Sequence, residues 1–293
     1  MRRLNRKQTL IFFYAFDIVL VIAIALFSIP FSCSSRSTLE SKDESMLDPA
    51  NAGSVVKIEL RNHKTEKSVV ISREGSMWIG TDSNSNNILK WPCRKNLPES
   101  FIAEASRKIH MVNKARNSES HENFSLEKGN CLEVNFSGPS GEIYSSLFFG
   151  DKNAVTKKIC YRTFSSNDVW EIESHIEDFL STDADFWVDP YIFPQCVTGL
   201  SDQESSSFLR HGKLAYVKPS PSIKPLKVFE KNFDNTAKGI FSFYEKDGSY
   251  IVIPMFTGGI SFSEDDSDAV KSLSYRYSIS QLTYKKFFER EEK

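Results

Sequence analysis

The chain has 293 residues, 40% of them hydrophobic, and a formal net charge of −1. That is enough apolar material for a real core and excludes wholesale disorder. Arg2, Arg3, Arg6 and Lys7 against Asp17 put residues 1–32 at +3, so the remainder carries −4. A mildly acidic body has no electrostatic footprint for a nucleic-acid backbone, so no nucleic-acid partner is expected.

From Leu10 to Ile29 the only ionisable residue is Asp17. Twenty helical residues rise about 30 Å, the thickness of a bilayer hydrocarbon core. Four basic residues precede the run, while Glu40, Asp43 and Glu44 follow it with only Arg36 and Lys42. This bias predicts a single-pass inner-membrane segment with the N-terminus inside and the body in the periplasm or outside the cell. Asp17 sits about 10 Å in from Leu10, reads mainly as a tolerated or protonated carboxyl, and is the candidate for a contact to another membrane helix. Three fates are open to residues 1–31: an uncut anchor, which is the favoured reading, cleavage as a signal peptide, or lipidation of Cys33. Cys33 follows Ser32 as a lipoprotein cysteine would, but Pro30 and Phe31 depart from the usual residues before it.

Residues 32–54 are rich in Ser, Asp and Glu with no apolar period, and read as a flexible tether. The folded body is expected to start near Val55. VVKIEL (55–60) alternates, with Val56, Ile58 and Leu60 on one face. KSVVISREGSMWIG (67–80) reads as a hairpin about Glu74-Gly75, and CLEVNFSGPSGEIYSSLFFG (131–150) as another about Gly138-Pro139-Ser140-Gly141. KKICYRTF (157–164) and DVWEIE (168–173) make a third pair. Two helices are expected. LPESFIAEASRKIHMV (97–112) places Phe101, Ala105 and Ile109 on one stripe behind a first-turn Pro98. SHIEDFLS (174–181) begins with the N-cap candidate Ser174.

IFSFYEKDGSYIVIPMF (240–256) is a long hairpin about Asp247-Gly248, and SLSYRYSISQLTYKKFF (272–288) ends the chain. EGSMWIG is echoed in DGSYIVI and YRTFSS faintly in YRYSIS. Residues 195–293 therefore read as a second β-rich unit, a degenerate copy of 55–194. The expected fold class is α+β: an antiparallel β-rich meander with one or two short helices, after an N-terminal transmembrane helix.

The order VVKIELRN, VVISREGSMWIG, PESFIAEASRKI, NFSLEKG, LFFGDKN, CYRTF, DVWEIESHIEDFL and DADFWVDP resembles a bacterial family known as domain of unknown function 4340, over roughly residues 55–192. NFSLEKG and PCRKN depart from its pattern. The resemblance implies a membrane segment and a β-rich extracytoplasmic body, often encoded beside gliding-motility-type ABC transporter subunits. The partners it implies are the membrane and the permease and auxiliary subunits of such a transporter. It carries no catalytic residues.

The residues themselves point away from common chemistries. His63, His110, His121, His175 and His211 are scattered without HExxH, and GxSxG, GxxxxGK[ST] and GxGxxG are missing from the sequence. SEDDSD (263–268) lacks the spacing of a calcium loop and reads as a solvated charged loop. Cys93, Cys131, Cys160 and Cys196 are too far apart for CxxC motifs, and in an exported chain they permit two disulfides with three connectivities or simple packing as thiols. Arg162 beside Tyr161 and Trp170 is a candidate groove for peptide or glycan, weighed against plain cross-strand packing. No catalytic, metal or cofactor site is expected. The favoured function is a non-enzymatic accessory or scaffold of an ABC-type envelope complex. The alternatives are a glycan- or peptide-binding envelope module or an exported lipoprotein.

Overall fold

The computed structural model describes residues 40–82, 88–153, 155–201, 203–204, 213–233, 237–246, 248–257 and 262–291. Asp17, Cys33 and the expected transmembrane segment lie outside these residues. Among the described residues no helix is long and apolar enough to cross a membrane. The chain divides into two units, Met1–Glu40 and Ser41–Lys293, and every described strand belongs to the second.

Fifteen described strands form two sheets, paired antiparallel throughout. The larger holds β1 (Ser41–Glu44), β2 (Lys57–Asn62), β3 (Lys67–Glu74), β4 (Met77–Asp82), β5 (Lys90–Pro92), β6 (Ile109–Ala115), β7 (Leu132–Ser137), β8 (Ile143–Phe149), β9 (Ile159–Thr163) and β10 (Val169–Ile172). Its order, β1-β6-β10-β9-β8-β7-β2-β3-β4-β5, places two four-strand meanders side by side. They meet where Ile58 faces Phe136 and Leu60 faces Val134. Alternation decides the faces. Ile58, Leu60, Val69, Ile71, Val134, Phe136, Leu147 and Phe149 are buried, while Glu59, Arg61, Glu133 and Asn135 occupy the other side. Helix α1 (Leu97–Ser106) covers the apolar face, with Phe101 centred 5.1 Å from Phe136, 5.3 Å from Phe179 and 5.8 Å from Trp187.

The smaller sheet holds β11 (Lys213–Leu214), β12 (Lys227–Asn232), β13 (Lys238–Lys246), β14 (Ser249–Thr257) and β15 (Tyr277–Ile279), in the order β11-β15-β14-β13-β12. Helices α2 (Glu264–Ser272) and α3 (Gln281–Glu291) flank it. On α3, Tyr284, Phe287 and Phe288 share one face at i, i+3, i+4 spacing and pack on Phe243 at 5.6, 5.2 and 4.9 Å between ring centroids. Tyr284 also stacks on Tyr250 at 4.3 Å.

The expected antiparallel β-rich α+β body is therefore present, with hairpins at β3–β4, β7–β8, β9–β10 and β13–β14. Four expectations are corrected. The tether over 32–54 does not extend through that range, because Ser41–Glu44 pairs with β6 and Met46 and Leu47 are buried. Both of their amides donate to the Ala105 carbonyl at the end of α1, at 3.0 and 2.9 Å. The helix expected over 97–112 stops at Ser106, because Ile109, Met111 and Asn113 alternate with His110, Val112 and Lys114 as a strand between β1 and β10. SHIEDFLS forms a single 3₁₀ stretch, His175–Phe179, capped by Ser174, whose hydroxyl accepts from the Ile176 amide at 3.1 Å. The boundary at 194/195 separates two sheets but not two cores, since one apolar cluster runs from Met46 to Phe288. The two echoed hairpins exist, but β4 pairs with β5 whereas β14 pairs with β15, and YRTFSS lies between β8 and β10.

Candidate functional site

The structure disperses the candidates that the sequence put together. Tyr161 and Trp170 face each other across β9 and β10 and are buried, the Tyr161 hydroxyl 2.9 Å from Met111 Sδ. Arg162 points to the opposite side and lays its guanidinium over Phe148 at 4.2 Å, so alternation along β9 breaks up the expected groove. SEDDSD is the start of α2. Ser263 accepts from the Asp266 amide at 3.1 Å, and Glu264, Asp265 and Asp266 sit in the first helical turn, where carboxylates are favoured. His63, His110 and His175 each meet one carboxylate, from Glu133, Asp43 and Asp178, and His121 Nε2 lies 3.0 Å from the Asn167 carbonyl. His211 lies outside the described residues. Among those residues no group of three or more His, Cys, Asp or Glu is placed to hold a metal ion.

The cleft that best combines shape and chemistry sits where β8 outruns its neighbour. The last rung between β8 and β9 joins Leu147 to Thr163, leaving Ile143–Ser146 beyond it, and the Phe164 amide closes the step by donating to the Ser146 carbonyl at 2.9 Å. A groove of about 510 Å³ opens there, walled by Glu133, Asn135, Ile143, Tyr144, Ser146 and Phe164. Phe164 is 73% exposed and Ile143 61% exposed. These are large apolar side chains in solvent beside polar ones, the composition of a contact surface.

The polar floor comes from the outward positions of β7. Glu133 Oε2 lies 2.8 Å from His63 Nε2, and Glu133 Oε1 accepts from Asn135 Nδ2 at 2.9 Å. Burial pushes the Glu133 carboxyl up, but the Asn135 and His63 hydrogen bonds outweigh it and hold the group below the usual carboxylate range. The amide of Asn135 is thereby oriented, and its Oδ1 is buried without a donor among the described residues. Closed off from solvent, that oxygen is a local polar cost of the β7 packing and not an acceptor open to the groove. Ionised and doubly hydrogen-bonded, Glu133 is a fixed acceptor and holds no proton to donate at neutral pH. The four described thiols are likewise unsuited to attack: burial raises Cys93, Cys131, Cys160 and Cys196 alike, Cys160 to about 11.

Sequence reasoning missed this groove. The alternation in LEVNF does mark Glu133 and Asn135 as an outward pair, but the step that exposes Phe164 depends on where β9 stops. No family model matches this chain, and neither the curated proteins nor the solved structures compared with it give a match.

Proposed function

We propose that this chain is a membrane-tethered, extracytoplasmic protein that works by contact rather than catalysis, as an accessory or scaffold of an ABC-type envelope complex. The observation that carries the contact reading is the groove beside β8. It combines exposed Phe164 and Ile143 with a strand that runs past its partner. An extended segment of a partner protein fits these features, with its backbone N–H groups meeting acceptors and its apolar side chains meeting Phe164 and Ile143. The envelope location and the transporter partners rest on the Leu10–Ile29 run, the charge bias around it and the family resemblance of residues 55–192.

Co-purification tests the reading. Full-length chain extracted from membranes after mild cross-linking should bring down permease and ATPase subunits, and deleting residues 55–192 should abolish this. Recovery of the chain alone from cross-linked membranes would refute it. A second reading, a glycan- or peptide-binding envelope module, is favoured by the hydroxyls of Tyr144 and Ser146 beside Phe164. Calorimetric titration with oligosaccharides and with extended peptides separates the two ligand classes.

A further inference from the structure

We propose that Cys93 and Cys196, which line one small cavity, form a disulfide, the pairing this fold favours among its four described cysteines. Cys93 follows β5 and bridges to Val188. On either side, the Arg94 amide donates to the Trp187 carbonyl at 2.8 Å and the Asp189 amide to the Pro92 carbonyl at 2.9 Å. The Asp189 carboxylate then accepts from the Gln195 amide at 3.1 Å, which seats the single helical turn Gln195–Thr198 beside that bridge. Cys196 is the next residue. The two cysteines line the same small cavity, about 230 Å³, together with Met77, Trp78 and Glu99. Each lies close enough to Asp189 to feel its charge, as Cys93 feels Cys196.

The other pairing is excluded by register. Leu132 faces Phe149 across β7 and β8, and the Gly150 amide donates to the Cys160 carbonyl at 2.9 Å. Strand β8 and its continuation therefore lie between Cys131 and Cys160. Two interstrand spacings are about 10 Å, beyond the roughly 7 Å between Cα atoms that a disulfide tolerates. Cys131 and Cys160 belong to a separate apolar cluster with Leu126, Phe148 and Val169, so neither meets Cys93 or Cys196.

The chemistry is an ordinary two-electron exchange. Two S–H bonds break, one S–S bond forms, and two electrons and two protons pass to a thiol–disulfide oxidant, which leaves as two thiols. Closure belongs to folding, before burial hides the thiols. The occurrence of the bond in the cell rests on the extracytoplasmic reading, because reducing compartments keep such pairs open.

The test separates the pairing from the compartment. Full-length chain is trapped in acid from cells, alkylated after unfolding and digested without reductant. Mass spectrometry should find the Cys93 and Cys196 peptides joined and lighter by two hydrogen atoms, with Cys131 and Cys160 alkylated. In parallel, full-length chain is reduced and unfolded in denaturant and then refolded in a glutathione redox buffer, where the same pair should close selectively as burial proceeds. Closure in the buffer with open thiols in cells would uphold the pairing and overturn the compartment. Failure to close in the buffer, or closure with Cys131 or Cys160, would overturn the pairing itself.

Discussion

Asp266 Oδ1 accepts a hydrogen bond from the Ser76 backbone amide at 2.6 Å, tying the β3–β4 turn to the first turn of α2. Gly75, at φ +61°, lies so close that an added Cβ would strike the Asp266 side chain. The clamp joins the two sheets, together with the Ser272 hydroxyl on Glu74 at 3.2 Å. Asp266→Ala should lower stability by about 1.5–3 kcal/mol in urea melts, the range for a hydrogen bond to a charged group, while leaving the circular dichroism spectrum unchanged. An effect within experimental error would show that the clamp is incidental.

The same carboxylate predicts a pH dependence. Burial raises Asp266, but hydrogen bonds from Ser76 and Ser263 outweigh it and the net shift is downward; Glu133 behaves alike. A folded-state pKa below the unfolded one means that the unfolded chain binds more protons between the two values. The stabilisation is complete above the unfolded carboxylate range near pH 4 and is lost as pH falls through the folded values. The melting temperature should therefore drop below about pH 4.5. The double variant Asp266→Asn, Glu133→Gln should flatten that drop, and an unchanged acid limb would reject the assignment.

Two glycines are fixed by their neighbours. A Cβ on Gly80 would enter the Trp91 ring across β4–β5, and one on Gly150 would overlap the Phe124 carbonyl oxygen. Gly80→Ala and Gly150→Ala should each cost about 1–3 kcal/mol by overpacking, with Gly150 the worse because backbone yields less than a side chain. Gly129→Ala, which meets nothing within 4 Å, is the control and should stay within about 0.5 kcal/mol of the parent.

Phe164 separates binding from folding. At 73% exposure it contributes little to the core, so Phe164→Ala should leave the melt within about 0.5 kcal/mol of the parent. As an aromatic anchor it should cost roughly 2 kcal/mol of partner affinity, about thirtyfold, in a pull-down titration. Unchanged capture would move the contact surface elsewhere.

The leader is tested by fractionation. Alkaline carbonate should leave the full chain in the membrane pellet, and Cys33→Ala should change neither that nor palmitate labelling if the helix is retained uncut. Asp17→Leu should improve insertion of the helix and reduce co-purification a few-fold at most, since interhelical polar contacts are worth about 0.6 kcal/mol.

Much of the fold was legible because period-2 alternation and Gly-centred turns act locally. Glu74-Gly75 and the glycine at 248 mark their hairpins without reference to the rest of the chain. The failures were tertiary. Ile109 completes a helical stripe with Phe101 and Ala105 as well as it starts a strand, and only the vacancy between β1 and β10 decides between them. Met46 and Leu47 are two apolar residues in a polar stretch, too few to signal burial before the end of α1 is in place. Helix α3 was readable from Tyr284, Phe287 and Phe288, but β-leaning residues just upstream masked it. The groove was illegible, since nothing in CYRTF says that β9 ends one residue before Phe164.

The seam between the two meanders sets an order of events during synthesis. Strands β2 to β5 emerge close together and pair in sequence, whereas the far side of β2 waits for β7, some seventy residues later. Closing so long a loop is slow, and until it closes β2 presents a free row of N–H and C=O groups. A nascent or truncated chain ending before Leu132 is thus an open template for another copy of itself, and self-association of the fragment should grow with its concentration. Arrival of β7 ends that exposure by making β2 the interior of a sheet.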